Sequence, residues 1–232
     1  YTSAYGNFAT LISDLGSRTV TVYVNSAVSI TANLTSPSNI SIVVLNGGSF
    51  NRSAGATLTI LGPYSGFLGQ HFTGSGTTTF ASNYYMDFVR CEWWGGVANG
   101  STDCATALNA AGTAFPDVKL ASGTYAIHSA FNTLQSGGSL TGAGKGRSIL
   151  KSNVRAAGSD FVMVNPVDVN NWTVSGIGFD GNISNYPDET TTIPRAEPVI
   201  NPSVSFPLIT AIRADLNSSL GKGLFVDLGV IQ

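Results

Sequence analysis

The chain has 232 residues with 11 basic and 13 acidic side chains, so charged residues are 10% of it, against roughly 25% in an ordinary soluble protein. A net charge of −2 with scattered cations gives no continuous basic footprint, which excludes a dedicated binder of the nucleic-acid backbone. Disorder is excluded as well, because 43% of residues are hydrophobic and fall in patterned runs, and no apolar run reaches the ~18 residues needed to span a bilayer.

In chain order, the first strong signal is Thr19–Val24, where Val20, Val22 and Val24 share one face of a strand. Further strands are predicted at Ala27–Ala32, Ile40–Leu45, Thr57–Ile60 and Thr77–Phe80. Beyond residue 100 they follow at Asp117–Ala121, Thr124–His128, Ser148–Lys151, Phe161–Val164 and Trp172–Phe179. Between them lie clusters of turn chemistry such as Asn46-Gly47-Gly48-Ser49 and Ser136-Gly137-Gly138.

One stretch alone reads as helix, from Asp103 to about Ala114. Cys104, Leu108, Ala111 and Phe115 form a single apolar stripe at helical period. Ser101 and Thr102 are the expected caps, Asp103 complements the positive end of the helix dipole, and Gly112 with Pro116 ends the helix. One helix among many short strands indicates an all-β architecture. Hairpin turns of two residues, which a sandwich would show, are missing, and irregular strand spacing with Gly-rich corners suits a β-solenoid.

Cys91 and Cys104 are too few for a zinc site, and His71 and His128 are remote from them in sequence. The thiols read as buried and free, with a disulfide as the alternative. Seven Asn-x-Ser/Thr sequons, at Asn33, Asn39, Asn51, Asn99, Asn171, Asn182 and Asn217, are what a chain rich in these residues produces readily, and they argue little for glycosylation. Gly142-Ala143-Gly144-Lys145-Gly146-Arg147-Ser148 is not a phosphate loop, because Ser139 stands where the first Gly is needed and Gly146 follows Lys145. The local cations Lys145, Arg147, Lys151 and Arg155 read as a solvated corner. The absence of Met before Tyr1 and the strand-like pattern Leu224–Ile231 at the other end read as a piece of a longer polypeptide.

From Glu92 onwards the residues resemble a family. Glu92-Trp93-Trp94-Gly95-Gly96 followed by Asn99-Gly100-Ser101-Thr102-Asp103-Cys104 resembles the opening of the pectate-lyase-3-like right-handed β-helix domain. Val118–Ile127, with Ser122-Gly123-Thr124-Tyr125, is similar to the next strand and turn of that family. Ser139–Leu150 is similar to its glycine-rich corner, and Trp172–Asn182 to the following coil. Ala98-Asn99-Gly100 and Cys104 depart from the family's acidic residues at the helix start, so no metal or ionic role carries over there. The region Val20–Phe88, through Ser41–Phe50 and Thr57–Pro63, resembles the Gly- and Thr-rich segment preceding this domain in phage tailspikes and related bacterial surface proteins.

The resemblance implies a right-handed parallel β-helix with a short capping helix near 103–114, preceded by a short-strand β region. Residues 1–90 would be the virion-proximal connector, and residues 91–232 the start of the β-helix domain, truncated at its C-terminus. Trp93 and Trp94 would help seal the first coil as core residues. The implied function is the N-terminal part of a bacteriophage tailspike or tail fibre, located in the virion tail or outside the cell. The implied partners are further copies in a homotrimer, tail or baseplate proteins, and a bacterial surface polysaccharide; cleavage of that polysaccharide is left open. No cofactor, metal, nucleic acid or membrane insertion is implied. A secreted bacterial polysaccharide lyase or glycoside hydrolase, and a non-catalytic adhesin solenoid, are the alternatives.

Cleaving a glycosidic bond takes two carboxyl groups, or for a lyase a base beside a cation. Asp180, at a strand end, and Asp188 and Glu189 are the catalytic candidates. The latter two lie in Ile183–Pro207, a segment too rich in proline for a central strand. That loop, with Tyr186, Arg195, Glu197 and Phe206, is the expected carbohydrate-binding surface. Most of the catalytic residues are expected beyond Gln232.

Overall fold

The computed structural model describes residues 7–81, 86–153, 163–166 and 168–181. Nine short strands come first: β1 (Val20–Val24), β2 (Ala27–Ile30), β3 (Leu34–Ser36), β4 (Ile40–Val44), β5 (Ser49–Arg52), β6 (Thr57–Ile60), β7 (Tyr64–Gly66), β8 (Phe72–Gly74) and β9 (Thr77–Phe80). They sort into three parallel sheets, β1-β4-β7, β2-β5-β8 and β3-β6-β9. The chain therefore visits three sheets in turn and returns to the first one rung further on, about 20 to 24 residues later.

Alternation explains why these segments are strands. Val22, Val24, Val28, Ile30, Ile40, Ile42, Val44, Phe50, Leu58 and Ile60 point inward and are buried, while Thr21, Ser29 and Thr35 between them face out. Parallel register stacks like on like, with Val22 beside Ile42, Leu34 beside Leu58 and Phe50 beside Phe72. Outward, Thr57 and Thr77 share a hydroxyl hydrogen bond of 3.1 Å, and Thr79 donates to Thr59 at 3.2 Å. The corners nest closely: a Cβ on Gly48 would stand 2.0 Å from the Val24 carbonyl oxygen, so only glycine fits there.

A helix that was not predicted, α1 (Phe8–Leu15), precedes these strands. Asn7 caps it by accepting from the Thr10 amide at 2.8 Å. Its buried face is Phe8, Leu11 and Ile12, and Phe8 meets Phe50 edge-on at 5.2 Å.

After Phe80 the pairing pattern changes. β10 (Val89–Arg90) leads into a 3-10 turn, Cys91–Trp94, then β11 (Asn99–Asp103), α2 (Ala105–Ala114), β12 (Asp117–Lys119), β13 (Gly123–Ile127), β14 (Ser139–Thr141), β15 (Ser148–Ser152), β16 (Thr173–Ser175) and β17 (Gly178–Asp180). These strands form two parallel sheets, β10-β12-β14-β16 and β11-β13-β15-β17. One buried apolar cluster runs from Phe8 through both sets to Phe179.

Several expectations are corrected. The helix begins at Ala105, and Ser101 and Thr102 belong to β11 rather than capping it. The N-cap position is Cys104, which makes no side-chain capping bond; Asp103 just before it accepts at Oδ1 from the amides of Ala105 and His128, both at 3.0 Å. The single strand expected over Trp172–Phe179 is two, divided at Gly176 with φ 64. Within Phe161–Val164, Val164 makes only an isolated parallel bridge to Phe131, and Phe161 lies outside the described residues. The helix α2 packs against Cys91–Trp94, β9 and β12, at the seam between the two strand sets, whereas α1 packs at the start of the first. Among the described residues no helix is long and apolar enough to cross a membrane.

Candidate functional site

The seam is built from aromatic rings. Phe72, on β8, stacks on Phe50 at 6.2 Å and on Tyr64 at 5.6 Å, and meets Phe80 edge-on at 6.0 Å. The 3-10 turn delivers two indoles to it, and the turn ends at Gly95 in the left-handed region, φ 91. Trp93 is buried and stacks on His71 at 5.1 Å with an interplanar angle of 17°. Trp94 packs on Phe72 at 4.8 Å and is only half-buried. The expectation that both indoles are core residues thus describes Trp93, while Trp94 keeps an open face.

Beside that face lies a cleft of about 400 Å³ between the β8–β9 corner and α2. Its lining includes Arg52, Gln70, Trp94, the hydroxyl residues Thr73, Ser75, Thr77, Thr78, Thr106 and Thr113, and Ala107 and Ala110. Arg52 sits on β5 at the inward position after Phe50 and is 4% exposed. Its Nε donates to the Thr73 carbonyl at 3.2 Å and its Nη1 to the Thr78 hydroxyl at 3.0 Å. The guanidinium stands 5.3 Å from the centre of the Phe72 ring, a cation–π contact. Burial lowers its pKa, and the nearby Tyr64 opposes that shift. A cation, several hydroxyls and an aromatic face around one concavity can orient a hydroxylated or anionic ligand.

His71 lies behind the cleft, fully buried. Its Nε2 is 2.9 Å from the Phe67 carbonyl oxygen, and its Nδ1 is 2.9 Å from the Tyr64 hydroxyl. A carbonyl only accepts, so Nε2 carries the hydrogen and Nδ1 accepts from Tyr64. Gly66 permits this placement, since a Cβ there would meet the imidazole Cε1 at 2.3 Å. Burial lowers the His71 pKa to about 4, partly offset by the Phe67 hydrogen bond.

Because the unfolded chain takes up this proton near pH 6.5 and the folded one near 4, His71 stabilises the fold fully above about pH 6.5 and loses that contribution as pH falls towards 4. The expected loss is of order 2 to 3 kcal/mol. Urea midpoints of wild type and His71→Gln between pH 7 and 4.5 check it: the variant is less stable at pH 7 but much flatter with pH. Parallel profiles would refute the assignment.

A second polar cluster sits at the corner between β12 and β13. Glu92, 5% exposed, accepts at Oε1 from the Ala121 amide at 3.0 Å and from the Tyr125 hydroxyl, while the Cys91 thiol is 3.6 Å from Oε2. Cys91 and Cys104 are both buried and free, as the first of the two readings had it. Burial raises both thiol pKa values, so neither is an activated nucleophile.

Of the residues singled out by sequence, Asp180 ends β17, half-buried, beside Lys151 on β15, and the rung before carries Ala126. One rung further the row carries Asp103, three rungs from Asp180, and its Oδ1 already accepts from the Ala105 and His128 amides, so the row brings no second carboxylate beside Asp180. Asp188, Glu189, Tyr186, Arg195, Glu197 and Phe206 lie outside the described residues, as does Arg155. The glycine-rich corner keeps its amides for itself: Gly142 donates to Ser175, Gly144 to Gly176 and Ala143 to the Ser148 hydroxyl. Those amides are therefore unavailable to a phosphate, in line with the sequence reading. Among the described residues, no group of three His, Cys, Asp or Glu could hold a metal ion.

Arg52 was missed, although Phe50 and Arg52 alternate with Ser49 and Asn51 and so share one strand face. A cation on an inward face was the available signal. Comparison with family models, curated proteins and solved structures returns no match.

Proposed function

We propose that the chain forms the early coils of a right-handed parallel β-helix in an extended extracellular fibre of the phage tailspike kind. In this reading residues 1–90 join the fibre to the virion, residues 91–232 begin the receptor-binding stem, and the full-length protein is a homotrimer that engages bacterial surface polysaccharide. The observation that carries it is the register: β1, β2 and β3 each pair in parallel with the third strand following, and those strands do so again. Parallel crossovers within one sheet are right-handed in about 98% of cases, which supplies the hand. Outward Thr, Ser and Asn with few charges provide a neutral, hydrogen-bonding surface for a glycan. The wall is a scaffold in this proposal, with chemistry placed elsewhere on the full-length protein.

Light scattering and negative-stain electron microscopy on the full-length protein test the proposal. A mass of three chains in a slender rod that adsorbs purified capsule is the expected result. A compact monomer overturns it.

A further inference from the structure

We infer that the cleft at the seam is a binding site for a small tetrahedral oxyanion, phosphate or sulfate, held as a counterion by the Arg52 guanidinium. Only the cleft carries this, so it holds whether or not the chain is part of a fibre. Arg52 is nearly buried, and no carboxylate among the described residues pairs with it. Tyr64, close enough to influence Arg52, keeps its hydrogen because burial raises its pKa, and so supplies no negative charge. A buried cation without a counterion is costly.

The guanidinium is open on its cleft side. Of its five donors, one on Nε goes to the Thr73 carbonyl and one on Nη1 to the Thr78 hydroxyl. Nη2 has no partner among the described residues, and it is not one of the side-chain atoms sealed from solvent without a hydrogen bond, so its two hydrogens reach the cleft that Arg52 lines. The Thr78 hydroxyl accepts from Nη1 and keeps its own hydrogen to donate. Ser75 on the β8–β9 corner and Thr106 on α2 line the same space with hydroxyls that make no hydrogen bond among the described residues. Among the lining residues Arg52 is the one charged side chain and none is an acid, so the potential in the cleft is positive. Donors converging from two walls on one cation select an anion, and four tetrahedral oxygens take a planar N–H fork and hydroxyls from other directions together. A flat carboxylate or a monatomic halide matches that set less well. The cleft, about 400 Å³, admits the ion with water that bridges it to the wider walls.

Calorimetric titration of the full-length protein with sodium phosphate, sulfate, acetate and chloride at matched ionic strength tests it. One phosphate or sulfate per chain is expected, bound at least roughly tenfold more tightly than acetate or chloride. Arg52→Gln should weaken that binding roughly 10- to 100-fold. Since losing a buried side chain can unfold a protein, Ala110→Glu provides the second arm: it leaves Arg52 in place, sets a carboxylate on the α2 wall of the cleft, and should abolish oxyanion binding with the circular dichroism of the wild type. Selenate, which has the shape of sulfate and is located by its anomalous scattering, should lie within hydrogen-bond distance of Arg52 Nη2 in crystals of the wild type. No saturable binding, equal binding of acetate or chloride, binding that survives Ala110→Glu, or selenate seated elsewhere overturns the site. A trimeric rod that binds no oxyanion leaves the proposed function standing and removes this inference. A compact monomer that binds phosphate at Arg52 does the reverse.

Discussion

Phe72→Ala is expected to lower the unfolding free energy by about 3 to 5 kcal/mol, the range for a phenylalanine removed from a core that cannot collapse around the gap. Phe72 is 1% exposed and is wedged among Phe50, Tyr64, Phe80 and Trp94, so four rings lose a neighbour at once. The Arg52 guanidinium also loses the ring beneath it. Position adds to the size of the effect: Phe72 lies on the last rung of β2-β5-β8 and touches the indole that begins the second strand set. In a stack of rungs each rung is held by its neighbours, so stability is a sum of local terms and interfaces. Removing this one should therefore uncouple the two sets, and the urea transition should split into two phases. Phe72→Leu, which keeps most of the volume, should cost far less and keep a single transition. A loss under 1 kcal/mol for the alanine variant would show that the seam carries no such load.

The parts legible in the sequence are those where physics acts locally. Val20–Val24, Ile40–Val44 and Thr57–Ile60 alternate over four or five residues, and burial on one face follows from that alone. Leu34–Ser36, Tyr64–Gly66 and Phe72–Gly74 are three residues each, too short to show a period. They are strands because a partner strand lies alongside, and no single sequence window contains the partner. Asp103 illustrates the same limit. Its place before an apolar stripe marked a helix start, but its second bond, to the His128 amide, reaches 25 residues along the chain and ties the helix start to the end of β13. The helix α1 is a different kind of miss: Asn7 followed by Phe8, Leu11, Ile12 and Leu15 carries both cap and period, over only 8 residues. For the cleft, Arg52 could be placed on an inward face, yet its partners stand 21 and 26 residues away, and the wall formed by α2 comes from still further along the chain. A site assembled across rungs has no local signature.

Glu92 brings the same lesson to a residue that the sequence did single out. As the acid opening the Glu92-Trp93-Trp94 segment it invites a chemical role, but its oxygens are already occupied. Oε1 takes the Ala121 amide and the Tyr125 hydroxyl, partners 29 and 33 residues away, and the Cys91 thiol faces Oε2. The carboxyl pins the 3-10 turn to the corner between β12 and β13. Tyr125 is fully buried, and its pKa is raised by burial first and by its bond to Glu92 second, so the hydroxyl keeps its hydrogen and donates. Glu92→Ala is expected to cost about 2 to 4 kcal/mol in a urea titration at neutral pH, the range for orphaning a buried partner and leaving a gap. The Tyr125 hydroxyl has a fallback acceptor in the Ala121 carbonyl at 3.2 Å, so the Ala121 amide is the group left without one. Glu92→Gln keeps an oxygen at that position and should cost about 1 kcal/mol. If both variants unfold with the wild type, the carboxyl is not a clamp. If alanine costs several times what glutamine does, the acid with the strongest sequence signature is structural, and the scarce acids left for chemistry are fewer still.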